Sequence, residues 1–222
     1  MDSVTFSEPM IATMAKSLLF AKFDADVDSV LADKYGIAGY PTMIIARPNG
    51  MEIDRLVGYY PPEEFIPAVL DLMTNRNTLD DLLSKAITYP DSPQLVFDIA
   101  QNYAYRSDVH QAEYYFNQII DGDPDNEKEL SDDAWFELAN LMRKNGQTDK
   151  AVEMFAELGQ KFPESDQVEV AQMMIPYTYH KSGDLKKAEK YYKEFKKDYP
   201  ESDRLKWVDK QLEKIKEERK KK

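Results

Sequence analysis

The fold of this chain is decided by the stretch AWFELANLMRKNGQTDKAVEMFAELGQKFP, residues 134–163. Large apolar residues recur every three or four positions in each half of it, which predicts two amphipathic helices. Gly146 marks the expected turn between them, and Pro163 marks the end of the second helix. The stretch therefore predicts a helical hairpin.

The same spacing occurs three times in the second half of the chain. The shared positions hold Ile99, Ala100, Tyr103, Ala112, Phe116, Ile119 and Pro124 in the first copy, Leu138, Ala139, Met142, Ala151, Phe155, Leu158 and Pro163 in the second, and Ile175, Pro176, Tyr179, Ala188, Tyr192, Phe195 and Pro200 in the third. The alanines at 112, 151 and 188 lie 39 and 37 residues apart. A hairpin repeated in this way predicts a solenoid in which each hairpin packs against the next.

This pattern resembles the tetratricopeptide repeat (TPR), in which a small residue lets the two helices cross closely and a proline ends the unit. Gly146, Gly183 and Ser107 stand at the expected turns. The predicted boundaries are 93–126, 132–165 and 169–202 for the three units, 75–92 for a connecting helix, and 203–222 for a capping helix with a basic tail. Both ends of the solenoid are thus expected to be covered by a helix.

Residues 1–74 show a different pattern, in which short apolar runs alternate with helical stretches. The predicted elements are, in order, a strand at Leu18–Phe23, a helix at Asp28–Tyr35, a strand at Thr42–Ala46, a strand at Met51–Val57 and a helix at Glu63–Met73. Pro48-Asn49-Gly50 carries a strong hairpin signal, so the strands on either side of it are expected to pair antiparallel.

These residues resemble the C-terminal half of a thioredoxin-like domain. The resemblance rests on residues 23–26, 31–42, 48–50 and 55–59. It implies that Pro41, in the loop Tyr40-Pro41-Thr42, is a cis-proline next to the family's redox site. The Cys-x-x-Cys of that site would lie just upstream of Met1, so Met1 resembles an internal methionine. The resemblance also implies a sheet without its central strand, whose open edges favour self-association.

The predicted fold class is therefore α+β and mostly α. A truncated thioredoxin-like α/β segment is expected in residues 1–74, followed by a TPR α-solenoid of three repeats and a capping helix.

Composition narrows the classes of function. The chain has 222 residues, no cysteine and a net charge of −12. Basic and acidic residues number 7 and 13 in residues 1–90, 13 and 23 in residues 91–202, and 9 and 5 in residues 203–222. An acidic body repels phosphate, which argues against nucleic-acid binding. A chain without cysteine has no thiol chemistry of its own, and its apolar runs are too short for an integral membrane segment.

In the repeat family, the first helix of each unit lines a groove that binds peptides. Carried over by position, the groove residues are Phe97, Gln101 and Tyr105 in the first unit, Phe136, Asn140, Arg143 and Lys144 in the second, and Met173, Tyr177, His180 and Lys181 in the third. Aromatic and arginine side chains dominate many interfaces, and cations favour a carboxylate partner. The alternative is that these residues form a solvated helix face that binds no ligand. Phe97 and Gln101 replace two residues of the clamp for chaperone tails in some relatives, so that partner class is not expected.

Metal and catalytic motifs are weak or missing. The acidic run Asp24–Asp28 begins like a calcium loop, but Ser29 and Tyr35 replace the glycine and the glutamate that such a loop needs. The acidic run in residues 121–132 contains the terminal proline of a repeat, which favours a solvated linker. The two histidines have no partner at ligand spacing. The sequence predicts no metal, no cofactor and no catalytic residue.

The leading hypothesis is a non-enzymatic scaffold that binds a protein or peptide. The alternative is a fragment of a thiol–disulfide oxidoreductase, with a role in redox homeostasis, whose Cys-x-x-Cys lies upstream of Met1. A third reading is docking to a membrane surface through the basic tail at residues 220–222. The missing export signal favours a cytoplasmic location, and a periplasmic one stays open if the N-terminus is incomplete.

Overall fold

The structure of the chain, a computed structural model, describes residues 5–14, 16, 18–37 and 39–221. Its elements fall into two units, residues 1–112 (unit 1) and residues 113–222 (unit 2). The division lies inside a helix, Val109–Gly122. The predicted boundary lies between residues 74 and 75, whereas the observed division follows residue 112. Unit 1 therefore also contains the predicted connecting helix and the predicted first helix of the first repeat.

Unit 1 contains both strands and the shorter helices. Its described elements are, in order, a 3₁₀-helix at Thr5–Ser7, α1 (Pro9–Met14), α2 (Ser29–Lys34), β1 (Thr42–Ala46), β2 (Glu52–Val57), α3 (Pro62–Met73), α4 (Leu79–Thr88), α5 (Pro93–Tyr105) and the start of α6 (Val109–Gly122). Helix α3 begins at a proline and has Glu63 and Glu64 in its first turn, where the helix dipole favours acids.

Strands β1 and β2 form the predicted antiparallel hairpin. They pair from Thr42 opposite Val57 to Ala46 opposite Glu52, with an irregularity after Ile45. In the turn, Asn49 Oδ1 accepts the N–H of Met51 at 3.0 Å. An apolar cluster packs against one side of the hairpin and consists of Ile11, Leu56, Phe65, Val69 and Leu72. The described sheet has two strands.

The predicted strand at Leu18–Phe23 is wrong. These residues have no regular secondary structure, and Leu19, Phe20 and Phe23 are exposed by 98%, 45% and 59%. A strand is stable only when its backbone groups pair with a neighbouring strand. Within the part of the chain that the structure describes, the only ladder is that of β1 with β2. An apolar run without a pairing strand therefore remains irregular.

Unit 2 contains the helices of the predicted solenoid. Its described elements are the rest of α6, α7 (Ser131–Lys144), α8 (Thr148–Lys161), α9 (Gln167–Lys181), α10 (Leu185–Asp198) and α11 (Leu205–Lys221). The repeat positions form its core, since Ala151, Phe155, Leu158 and Ala188 have no exposed surface. These helices confirm the predicted mostly helical class with a TPR-like repeat array.

Helix α9 contains a proline, Pro176, within its span. Pro176 is buried, and the helix continues on both sides of it from Gln167 to Lys181. None of the described helices combines the length and the apolar character that a membrane crossing requires.

Candidate peptide-binding site

The residues predicted to line a groove are found in both units. Phe97, Gln101 and Tyr105 lie on α5 in unit 1, and the other eight lie on α7 and α9 in unit 2. Phe97 is buried, with 8% exposure, whereas Gln101 and Tyr105 are half-buried. The Tyr105 carbonyl accepts a hydrogen bond of 2.9 Å from Arg55 Nη1. Most of the predicted set therefore belongs to unit 2.

Arg143 and Tyr177 are at the centre of the unit 2 residues. The guanidinium carbon of Arg143 lies 5.3 Å from the centroid of the Tyr177 ring, a cation–π distance. Lys181 Nζ lies 5.7 Å from the same centroid. Arg143 Nη2 donates a long hydrogen bond of 3.5 Å to Asn140 Oδ1. We call Asn140, Arg143, Tyr177 and Lys181 the Arg143 cluster. It joins α7 to α9.

Arg143 is half-buried and incompletely paired. Its Nε is buried and has no hydrogen-bond partner within the described residues. Burial lowers the pKa of Arg143, while Tyr177 and Glu137 act in the opposite direction. A buried donor without an acceptor costs free energy, and the cost is larger on a charged group.

Two carboxyl groups lie on the same helix as Arg143. Burial raises the pKa of Glu137, with smaller effects from Lys144, Asp133 and Arg143. Burial also raises the pKa of Asp133, and a hydrogen bond of 3.0 Å from Gln167 Nε2 acts in the opposite direction. In both cases burial favours the neutral acid. Lys144 and Arg143 act in the opposite direction at Glu137, so this acid interacts with cations of the predicted groove.

Aromatic rings border the Arg143 cluster on the side of α11. Tyr177 and Trp207 have ring centroids 5.8 Å apart, and Tyr192 lies 6.1 Å from Trp207. Trp207 is partly exposed, whereas Tyr192 is fully buried and its hydroxyl has no partner in the described structure. Burial raises the pKa of Tyr192, so its hydroxyl stays protonated. These rings form a partly apolar border beside the cationic centre.

The remaining predicted residues of unit 2 differ in environment. Phe136 packs edge-to-face on Phe155 of α8, with centroids 5.7 Å apart, and so stabilises the α7–α8 hairpin. His180 Nε2 lies 3.3 Å from Glu218 Oε1 on α11. Lys144 is exposed, and Met173 is half-buried.

Two residues of this region, Glu137 and Trp207, were not among the predicted site residues. Trp207 stands in the helix that was predicted to cap the solenoid. Tyr192 was predicted as a core position of the third repeat, and it is fully buried. A large aromatic residue in an otherwise strongly charged helix was the available signal for Trp207. Nothing in the spacing marked Glu137 as different from a solvated acid.

The loop Tyr40-Pro41-Thr42 lies in unit 1 at the start of β1. The Tyr40–Pro41 bond is cis, as the resemblance implied. Thr42 Oγ1 donates to the Gly39 carbonyl at 2.6 Å, and the Pro41 carbonyl accepts the N–H of Gly58 at 2.8 Å. Tyr40 is exposed. The loop is thus anchored by main-chain groups and presents one aromatic side chain to solvent.

The acidic runs have structural roles in the described chain. Asp24 Oδ1 accepts the N–H of Asp26 at 3.1 Å, and Asp123 Oδ2 accepts the N–H of Lys128 at 2.7 Å. Over the described ranges, no group of three His, Cys, Asp or Glu residues is placed to bind a metal ion. Lys222 of the basic tail lies outside the described residues, as does the side chain of Lys221.

Comparison with known proteins finds similarity in both parts of the chain. Residues 9–72 match a family model described as a thioredoxin-like domain, and residues 128–209 match the YfiO family, described as an outer membrane lipoprotein. Among solved structures, TPR-like repeats described as those of a kinesin light chain from Podospora anserina share 14% identity with this chain. That likeness has a TM-score of 0.46 and covers 63% of this chain and 81% of the other. No curated protein matches. The chain has a thioredoxin-like domain that matches over residues 9–72, followed by the TPR-like helical repeats described above.

Proposed function

We propose that this chain is a non-enzymatic protein-interaction scaffold and that unit 2 binds an extended acidic peptide across α7 and α9. Arrays of TPR-like repeats generally mediate interactions between proteins. The observation that carries the proposal is the half-buried Arg143, whose Nη2 makes only a long hydrogen bond of 3.5 Å to Asn140 Oδ1 among the described contacts. A ligand carboxylate would offer the exposed part of the guanidinium a stronger, charge-assisted hydrogen bond.

The charges around Arg143 support an acidic ligand. Lys181 lies close to the Tyr177 ring, and Lys144 follows Arg143 on α7. Three cations, Arg143, Lys144 and Lys181, thus occur among the predicted groove residues of a chain whose net charge is −12. Such a local group of cations favours an anionic partner.

The aromatic border supports a peptide over a small anion. Tyr177 and Trp207 offer ring surface next to the cation, and arginine together with tyrosine or tryptophan is the usual composition of an interface hot spot. A ligand with an acidic side chain and a neighbouring apolar or aromatic side chain would use both features. We therefore expect acidic residues interleaved with large apolar residues in the ligand.

A selection from random displayed peptides tests the proposal. Peptides that bind the whole chain should be enriched in Asp and Glu, and the substitution Arg143→Glu should weaken their binding at least tenfold, or about 1.4 kcal/mol. Arg47→Glu is the matched control, since it makes the same change of charge at an exposed position of unit 1. Selected peptides without acidic enrichment, or peptides that bind the two variants equally, would contradict the proposal.

A second candidate function is favoured by the thioredoxin-like match over residues 9–72. In it, the chain is part of a thiol–disulfide oxidoreductase whose Cys-x-x-Cys lies upstream of Met1 and whose client meets the loop Tyr40-Pro41-Thr42. The intact mass of the protein isolated from its own cells tests this candidate. A mass several kilodaltons above 25.7 kDa, with cysteine in the added segment, supports it, and a mass of 25.7 kDa contradicts it.

Self-association is a further proposal about partners. It is supported by the exposed apolar residues Leu19, Phe20 and Phe23 in unit 1. Sedimentation equilibrium over a range of concentrations should then show a monomer–dimer equilibrium that shifts toward monomer in the variant Leu19→Ser/Phe20→Ser. A strict monomer at every concentration contradicts self-association.

A further inference from the structure

Strand β2 contains charged residues that are buried. Asp54 and Arg55 are exposed by only 1% and 7%. The Glu52 side chain is largely shielded as well, and it forms a two-pronged ion pair with Arg55: Nε donates to Oε1 at 2.7 Å and Nη2 donates to Oε2 at 2.6 Å. Charges are buried in a strand only when each is well paired.

Asp54 connects the hairpin to two helices. Its Oδ2 accepts the N–H of Leu79, the first residue of α4, at 2.7 Å. Its Oδ1 accepts from the backbone N–H of Arg55 at 2.7 Å and from Nη2 of Arg106, the residue that directly follows α5. The first N–H groups of a helix have no partner within the helix and favour a negative charge. Asp54 thus provides the acceptor that the start of α4 lacks.

Arg55 connects the same hairpin to the ends of two helices. Its Nη1 donates to the carbonyl of Tyr105, the last residue of α5, at 2.9 Å. Its Nη2 donates to the carbonyl of Tyr35, just after α2, at 2.7 Å. The last carbonyls of a helix lack partners and favour a cation. One guanidinium therefore serves two helix ends.

Arg106 completes the set. Its Nη1 donates to the carbonyl and to Oδ1 of Asn102, one turn earlier in α5, at 3.1 and 2.7 Å. Two acids, Glu52 and Asp54, are thus balanced by two bases, Arg55 and Arg106. We call these four residues the Asp54 network.

The described apolar cluster beside the hairpin consists of residues from Ile11 to Leu72 and includes three residues of α3. The hydrogen bonds of Asp54 and Arg55 are the described contacts that join the hairpin to the start of α4 and the end of α5. They therefore fix the position of β2 relative to these two helix ends.

We propose that the Asp54 network locks the β1–β2 hairpin, together with the loop Tyr40-Pro41-Thr42 that precedes β1, in one orientation against α4 and α5. The end of the thioredoxin-like segment and the start of the repeats then move as a single body. Removing one charge leaves a buried partner unpaired and weakens the lock. Asp54 and Arg106 act here as positioning residues, and the inference does not depend on the proposed peptide ligand.

Because the chain has no cysteine, two introduced cysteines can be labelled selectively. We choose two exposed positions, Arg47→Cys in the hairpin and Gln94→Cys in α5, and attach a spin label to each. Pulsed electron spin resonance on the otherwise native chain should give a single narrow distance distribution. Asp54→Asn or Arg106→Gln should broaden it or add a second distance. Asp80→Asn, the same chemical change at an exposed position of α4, should leave it unchanged.

Circular dichroism separates loosening from unfolding. Arg106→Gln leaves the hydrogen bond between Asp54 and Leu79 in place. If Asp54→Asn does not fold, the distance distribution of Arg106→Gln therefore tests the lock by itself. A broadened distribution in folded Arg106→Gln supports the lock. A distribution that stays single and narrow in that variant overturns it.

Discussion

At the scale of single residues, Glu137 shows how burial is linked to stability. Burial raises its pKa above the ordinary value of 4.5, so the folded chain holds this proton more tightly than the unfolded chain does. The free energy of unfolding should therefore fall as pH rises from 4.5 through the folded pKa. The variant Glu137→Gln lacks this loss, and its stability relative to the native chain should increase with pH. Urea unfolding across that pH range measures the difference, and a difference independent of pH contradicts the prediction.

Gly36 is a second residue whose surroundings set a clear expectation. Its φ is +55°, and a Cβ at this position would lie 2.9 Å from the backbone carbonyl oxygen of Arg106. Gly36→Ala should destabilise the chain by about 1–3 kcal/mol, because backbone atoms cannot move aside easily. Gly122→Ala is the control, since a Cβ there meets nothing within 4 Å and should change stability by less than about 0.5 kcal/mol. Equal effects of the two substitutions in urea unfolding would show that the contact with Arg106 is unimportant.

At the scale of elements, the start of α4 is fixed by a side-chain cap. Thr78 Oγ1 accepts the N–H of Asp81 at 3.2 Å and donates to Asn75 Oδ1 at 2.8 Å, and the residue is 1% exposed. Thr78→Ala should cost about 1 kcal/mol in thermal or urea unfolding. Thr88→Ala, at the exposed end of the same helix, should cost less than about 0.5 kcal/mol. A Thr78→Ala variant as stable as Thr88→Ala would contradict the capping role.

The helices of both units were predictable because their apolar residues follow the helical period. The β1–β2 hairpin was predictable from its turn, since Asn49 and Gly50 have a specific backbone preference. The strand at Leu18–Phe23 was not correctly predicted, because a strand depends on a partner that local sequence does not specify. The Asp54 network was missed for a related reason: charged residues in a half-buried strand are normally expected to face solvent. The signal available in the sequence was that Glu52, Asp54 and Arg55 place three charges within four residues of β2.

The candidate site was predictable in part. Repeat offsets identified Asn140, Arg143, Tyr177 and Lys181, which the structure brings together across α7 and α9. Offsets give the face of a helix but not the exposure of a side chain, and Phe97 is buried although its position was assigned to the groove. Trp207 was missed because it lies on α11, outside the aligned repeats.

At the scale of the whole molecule, the stability of a repeat array depends on neighbouring hairpins. Deleting residues 132–165 removes α7 and α8 and uncovers apolar residues of α9, such as the buried Ala171 and Ile175. We expect the remaining helices of unit 2 to lose structure, because each hairpin buries its apolar face on the next. Circular dichroism should show a loss of helix larger than the deleted residues account for. A loss equal to the deleted residues alone would contradict this dependence.

The central proposal, an acidic peptide bound at the Arg143 cluster, also concerns the whole molecule. The chain contains two tryptophans, and both are in unit 2. The Trp207 ring borders Tyr177, whereas the Trp135 indole N–H donates to the Met154 carbonyl at 2.8 Å. The indole N–H signals of Trp207 and Trp135 in an NMR spectrum therefore provide a reporter and an internal control.

The most direct test is an NMR titration of the full chain with a synthetic peptide that alternates glutamate with tyrosine. The Trp207 indole and Arg143 Nε–H signals should shift and saturate, while the Trp135 indole signal stays in place. The same peptide with glutamine for glutamate should cause much smaller shifts, and Arg143→Glu should abolish the shift at Trp207. Equal shifts with both peptides, or no shift at Trp207 and Arg143, would contradict an acidic peptide site at the Arg143 cluster.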